Sequence, residues 1–300
     1  MAREPTRILV PAYDFPGPAD LGETPRDWDV LVDVGKKLRI GGLLVIANPA
    51  DGPGTGPNAN YEFEIKRLRS VCASVVGYIT DCYNDTKVGE GPNPPCPRST
   101  TREADIERWF GIYNVDGIVF DEVDEDEVAH AIQLVQMVRA RRNKALIVLN
   151  PGTIPSRDFI EGTDPAIVVI HENTFAAYQG WPPQASVEAA WLRDREGAGP
   201  GGADWIPARR LAIIAHTPGN LTGQQAVDRL FNIADRYSIG WIYAWHGVNS
   251  VYNPLSTYLP DLAERIADRI AFPPRPIQNA VRPIVCGFQQ VAARVFTLGR

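Results

Sequence analysis

The chain has 300 residues, 44% of them hydrophobic, which suffices for one large domain or two small ones. A formal charge of -6 and a pI near 5.3, with no basic stripe, lack the electrostatic footprint of a nucleic-acid binder. No apolar run approaches the ~18 residues of a membrane span, and Met1 to Arg7 lead into a strand-like segment without the apolar core of a signal peptide.

Short apolar runs alternate with segments of helical period along the chain. The first run, Ile8 to Tyr13, ends in Tyr13-Asp14 and precedes a Pro/Gly loop and a helix expected from Trp28 to Leu38. The second, Gly42 to Asn48, opens into Pro49-Ala50-Asp51-Gly52-Pro53-Gly54, a segment of strong turn chemistry, and a helix is expected from Tyr61 to Val71. The third, Ser74 to Thr80, ends in Asp81-Cys82-Tyr83 and gives way to a long loop carrying Cys96. Four cysteines, without paired CxxC spacing, make neither a disulfide scaffold nor a zinc site. Cys82 and Cys96 flank a Gly, Pro and Asn loop that a bridge could close, but free, partly buried thiols are the favoured reading.

Thr100 and Glu103 have the spacing of a capping box for the next helix, whose Ile106, Trp109, Phe110 and Tyr113 share a face. The fourth run, Val115 to Phe120, ends abruptly in Asp121 and Glu122. Asp124 to Glu127 read as a first helical turn, where acids are favourable, and Val128, Ala131, Ile132, Val135 and Val138 continue that helix. Arg139, Arg141, Arg142 and Lys144 close it, where cations complement the helix dipole, and His130 within it reads as a surface residue. Leu146 to Asn150 and Ala166 to Ile170 are the fifth and sixth runs, the latter leading into His171-Glu172-Asn173. Gly197 to Gly202 reads as a flexible loop. Leu211 to Ala215, ending in His216, and Trp241 to Trp245, ending in His246, are the seventh and eighth, with a second capping box at Thr222 and Gln225 between them.

Eight such units in about 270 residues match a (β/α)₈ barrel of TIM type, read as one domain over residues 1–272. A doubly wound sheet is disfavoured because the first turn, Pro11 to Gly17, carries no GxGxxG. Residues 273–300 form a Pro-rich extension that a barrel does not need.

In such a barrel the residues just past each strand meet on one rim. These are Tyr13 and Asp14, Asn48, Thr80 and Asp81, Asp121 and Glu122, Asn150, His171 and Glu172, His216, and Trp245 with His246. The set is rich in carboxylates and aromatics and holds no Lys or Arg, which suits a neutral polyol better than a phosphate. Tyr13, Asp14, Asn48, Asp81, Asn150, His216 and Trp245 are accordingly expected to bind substrate. Two carboxylates from different strands, Asp121 and Glu172, are what glycosidic cleavage requires. Glu122, adjacent to Asp121, should point to the opposite face unless a local bend brings it in. His171 reads as a core or rim histidine. Asp81, Asp121, Glu172 and His216 could ligate Mg²⁺, Mn²⁺ or Zn²⁺, but no HExxH or comparable spacing supports a metal, and no cofactor is implied.

Four segments together carry a family resemblance: Val10-Pro11-Ala12-Tyr13, Asn48-Pro49-Ala50-Asp51-Gly52-Pro53-Gly54, Val76-Gly77-Tyr78-Ile79, and Asp116-Gly117-Ile118-Val119-Phe120-Asp121-Glu122. Over roughly residues 8 to 250 the chain resembles the spherulin-4 family. The resemblance implies a (β/α)₈ glycoside hydrolase that cuts α-linked galactosamine-containing polysaccharides of microbial exopolymers outside the cell. It further implies a retaining mechanism, with Asp121 as nucleophile, Glu172 as acid/base and Glu122 as a third acidic residue of the site. The alternative expectation is a catalytically idle barrel that binds carbohydrate within a larger assembly such as a phage tail, docked through residues 273–300.

Overall fold

Eight parallel strands close on themselves in chain order: β1 (Arg7–Ala12), β2 (Leu43–Ala47), β3 (Ser74–Thr80), β4 (Gly117–Asp121), β5 (Leu146–Asn150), β6 (Ile167–Thr174), β7 (Leu211–His216) and β8 (Trp241–Ala244). β8 pairs with β1 to shut the barrel. This computed structural model describes residues 4–17, 28–38, 41–85, 96, 100–196, 205–248 and 252–271. The 273–300 extension and the loop expected at Gly197 to Gly202 lie outside them. Helices α1 (Asp29–Leu38), α2 (Ala59–Ser70), α3 (Arg102–Arg108), α4 (Val128–Arg141), α5 (Arg157–Gly162), α6 (Ala190–Arg193), α7 (Gly223–Tyr237) and α8 (Leu259–Ala271) alternate with the strands.

The strands are apolar on both faces because one face fills the barrel and the other lies under helices. Ile8, Leu44, Val76, Ile118, Leu149, Val168, Ile213 and Ile242 all belong to one continuous buried core. Two glycines mark close approaches. A Cβ on Gly77 would sit 2.1 Å from the Trp109 ring, which lies over β3 and donates Nε1 to the Tyr78 carbonyl at 2.9 Å. A Cβ on Gly117 would strike the Leu146 carbonyl at 2.0 Å, where β4 and β5 begin to pair.

Three features differ from the sequence expectation. The cap of α3 is Thr101, one residue later than expected, with its hydroxyl accepting from the Ala104 amide at 3.2 Å, while Thr100 instead donates to Asp105. The box at Thr222 and Gln225 forms as read. Cys82 and Cys96 are bridged, at a Cα separation of 5.7 Å that lies within disulfide range, and Cys72 is also disulfide-bonded, so the free-thiol reading is overturned. His130 is not a surface residue: its Nε2 lies 3.0 Å from both carboxylate oxygens of the buried Asp81.

Register sets the level of the rim. Thr80 pairs with Asp121, and Asp121 with Asn150, so these three strand-end residues stand side by side on β3, β4 and β5. β6 carries a bulge: Val169 pairs with Ala212 and His171 with Ile213, leaving Ile170 as the extra residue. That insertion puts Val169 and Glu172 on one face and His171 on the other. Without it, strict alternation would send His171 into the barrel mouth in place of Glu172.

Candidate active site

A cavity of about 400 Å³ opens at the C-terminal ends of the strands, and Asp121, Asn150 and Glu172 stand in its wall. The Asn150 amide nitrogen donates to Asp121 Oδ1 at 2.7 Å and to Glu172 Oε2 at 2.6 Å. One nitrogen therefore spans the two carboxyls. Their facing oxygens can be no farther apart than the two bonds laid end to end, about 5.3 Å. Asp121 also accepts from the Glu122 amide at 3.0 Å and from the Tyr78 hydroxyl, and Glu172 Oε1 accepts from the Tyr252 hydroxyl at 2.5 Å.

Glu122 enters the same cavity because the backbone breaks alternation there. Its φ of 56° is left-handed, a conformation uncommon for a side chain with a Cβ. The turn aims its carboxylate back over the end of β3, where Thr80 Oγ1 donates to Oε2 at 2.7 Å, and the Glu122 carbonyl accepts from the Tyr83 amide at 2.6 Å. Tyr83 is itself left-handed, at φ 52°, and follows the bridged Cys82.

The electrostatics follow from the inventory of the wall. Four carboxylates line it, Asp51, Asp121, Glu122 and Glu172, and no Lys, Arg or His is among the described lining residues. Burial, then the facing charge of Glu172, push the Asp121 carboxyl up to about 7, against hydrogen bonds from Tyr78 and the Glu122 amide that favour its ionised form. Burial likewise raises Glu172, opposed by the bonds from Tyr252 and Asn150. Two buried carboxyls this close titrate as a pair, and the pair retains one proton near neutrality. Within it, Asp121 takes three donors and Glu172 two, which favours charge on Asp121 and the proton on Glu172.

Of the residues expected to bind substrate, Tyr13, Asn48 and Asn150 line the cavity and Asp14, Asp81, His216 and Trp245 do not. Asp81 is the clearest correction. It is fully buried on the far side of β3, where Arg102 Nε donates at 2.5 Å and His130 approaches both oxygens. It is one residue past Thr80, and the period of two turns it away from the mouth. Asp14 follows Tyr13 in the same way and is buried outside the cavity. His216 lies against Thr217 Oγ1 at 2.9 Å, and burial lowers its pKa. Trp245 is 3% exposed, donates Nε1 to the Pro254 carbonyl and packs on Tyr252. His171 stacks on Trp181 at 5.3 Å, and burial, then His216, bring its pKa to about 4.

Sequence reasoning missed Asp51, Tyr78, Tyr83 and Tyr252. Tyr78 was accessible to it, since it stands two residues before Thr80 on the same face of β3. Asp51 sits in the turn recognised after Asn48, which Asn48 Oδ1 closes by accepting the Gly52 amide at 3.0 Å. Tyr252 gives no such signal, because it belongs to a loop far beyond the end of its strand.

Comparison with known proteins agrees with this architecture. The model of spherulation-specific family 4 matches residues 7–266. The chain belongs to that family. It is 23% identical to Spherulin-4 of Physarum polycephalum over 277 residues, covering 88% of this chain and 70% of that protein. A crystal structure of Sph3 from Aspergillus clavatus in complex with GalNAc superposes with a TM-score of 0.62 at 23% identity, covering 88% of this chain and 98% of that one. At that identity the likeness establishes the shared fold, a closed eight-stranded parallel barrel.

Proposed function

We propose that this spherulation-specific family 4 barrel is a retaining, endo-acting glycoside hydrolase acting on an α-linked galactosamine or N-acetylgalactosamine polymer of a microbial surface or biofilm. The observation that carries the reading is the Asn150 bridge. A retaining pair stands ~5 to 5.5 Å apart, whereas inversion needs ~6.5 Å or more to admit a water. Two carboxyls held by one amide nitrogen fit the shorter spacing.

In this mechanism the Asp121 carboxylate attacks the anomeric carbon as the glycosidic C–O bond breaks, and Glu172 gives its proton to the departing oxygen. Water then attacks the same carbon, passes a proton to Glu172, and releases Asp121. The shared proton of the pair is the one the first step spends. Glu122, held by Thr80, adds negative charge beside the developing oxocarbenium ion. The substrate class rests on the family and on charge: four carboxylates without a lining cation suit a polymer bearing amines, and the GalNAc bound in the Sph3 structure is a hexosamine.

Reducing-end release from α-linked galactosamine polymers, graded by acetylation, tests the proposal. Activity is expected in the wild type and lowered by about 10² or more in both D121N and E172Q. Inertness of the folded wild type across that series, with glycan binding retained, would instead favour an idle carbohydrate-binding barrel.

A further inference from the structure

One contact to the carboxyl pair comes from no strand end. Tyr252, in the loop between β8 and α8, donates to Glu172 Oε1 at 2.5 Å, while Asn150 holds Oε2. Its ring is buried, 2% exposed, set edge-on to Tyr13 at 5.9 Å and tilted against Trp245 at 5.2 Å and Tyr243 at 5.9 Å. Its backbone is left-handed, φ 48°, which is unusual for so bulky a residue and persists where the surroundings impose it. Two bonds tie that loop to the barrel: Trp245 Nε1 to the Pro254 carbonyl at 2.9 Å, and Ser256 Oγ to the Ala244 carbonyl at 2.7 Å. A strained residue, fixed by its loop and packed on three rings, thus delivers one hydroxyl to one carboxylate oxygen.

We propose that Tyr252 is a positioning residue for the hydrolysis assigned above, clamping Glu172 Oε1 so that the carboxyl cannot rotate away from Asn150 and Asp121. This inference rests on that assignment. With a donor on each oxygen, rotation of Glu172 would break two bonds at once. A donated hydrogen bond is stronger to a carboxylate than to a carboxylic acid, so the clamp tightens when Glu172 surrenders its proton to the leaving oxygen and relaxes when water returns one. Burial, then the charge of Glu172, raise the phenol well above its ordinary range, so Tyr252 stays a donor throughout.

The titratable groups that couple to Glu172 are Asp121 at the end of β4, Tyr13 after β1 and Tyr178 after β6, and those that share its cavity are Glu122 after β4, Asp51 after β2, Tyr78 on β3 and Tyr83 after it. His171, its chain neighbour, lies on the opposite face of β6 and is neutral above about pH 4. None of these is a cation at neutral pH. Tyr252 and Asn150 are therefore the donors that hold Glu172 down against its burial, and loss of the hydroxyl lets it keep its proton to higher pH.

The test is Y252F, which keeps the ring and its packing. With protein carrying ¹³C-labelled glutamate side chains, the Glu172 carboxyl resonance, assigned by its absence in E172Q, is expected to titrate about one to two pH units higher in Y252F than in the wild type. The alkaline limb of the kcat/KM profile should move up with it, with KM for the polymer little changed. An unmoved midpoint in Y252F, with near-ultraviolet circular dichroism and thermal unfolding unaltered, overturns the clamp whatever the activity. A raised midpoint in a chain whose wild type cleaves no galactosamine polymer supports the clamp and overturns the assigned reaction, so the two failures are distinguishable.

Discussion

Asp81 and Asp121 are both aspartates at the ends of neighbouring strands, at almost the same level of the barrel, Asp81 fully buried and Asp121 half-buried in the cavity wall. Their surroundings are opposite. Asp81 faces outward onto Arg102, whose guanidinium supplies the opposite charge, and onto His130, whose Nε2 lies 3.0 Å from both its oxygens. Asp121 faces inward onto Glu172, with neutral donors and a second acid beside it and no cation among the described lining residues. A buried carboxylate matched by a cation is structural, whereas one set against another carboxylate is kept only for what the pair can do with a proton.

Substitution should separate the two most sharply in activity. E172Q is expected to lower kcat/KM by about 10² to 10⁴ through loss of the general acid, and D121N by at least as much, both with the fold intact by circular dichroism. D81A should do the reverse. By removing from a largely buried cluster the carboxylate that Arg102 and His130 both contact, it should cost about 3 to 5 kcal/mol in urea unfolding, and activity should follow the folded fraction. If D81A unfolded at the wild-type midpoint, the structural reading of that cluster would be wrong.

The bridge from Cys82 supports the edge where the two regions meet, since Thr80 and Tyr83 on either side of it hold Glu122. Replacing Cys82 and Cys96 together by serine should lower stability by about 3 kcal/mol, as expected for a closed loop of this size, and reduce kcat more than the stability loss alone explains. Ellman titration beside urea unfolding checks the first part, and initial rates at low temperature check the second.

A further effect, of comparable size, lies in pH. The Asp121–Glu172 pair keeps one proton up to about pH 7 in the folded state, whereas a carboxyl of the unfolded chain releases it near ~3.9, so between them the native state binds more protons than the unfolded state. The pair's contribution to stability is full below pH ~4 and is lost as pH rises through about 7. D121N, which cannot ionise, should therefore become steadily more stable relative to the wild type across that window. A flat difference would mean that the pair does not share its burial cost. Least affected should be H216N, because His216 lies against Thr217 outside the cavity: KM for the polymer should stay within about two-fold of wild type, an effect of a few tenths of a kcal/mol.

The barrel was legible because eight apolar runs carry the signature of strands buried on both faces, and each was found at its expected place. The site was legible to the resolution of a strand end, and no finer. Four runs led into two adjacent polar residues, Tyr13 and Asp14, Thr80 and Asp81, Asp121 and Glu122, and His171 and Glu172, and a period of two allows only one of each pair to face the mouth. Tyr13 rather than Asp14, and Thr80 rather than Asp81, follow that rule. Glu122 escapes it through a left-handed φ, and Glu172 takes the place due to His171 through the extra residue at Ile170. Neither a bulge nor a positive φ at glutamate is written in residue type. Tyr252 was hidden for a different reason: loop closure over the mouth, rather than strand register, brings it to Glu172.

Asp121 and Glu172, held by one amide within the spacing of a retaining pair, are the proposed nucleophile and acid/base. The most direct measurement is the anomeric configuration of the first reducing ends released from an α-linked galactosamine polymer, followed by proton NMR before mutarotation. Retention by this pair requires that the α anomer appear first and relax toward the equilibrium mixture. Initial release of the β anomer would mean inversion and contradict it.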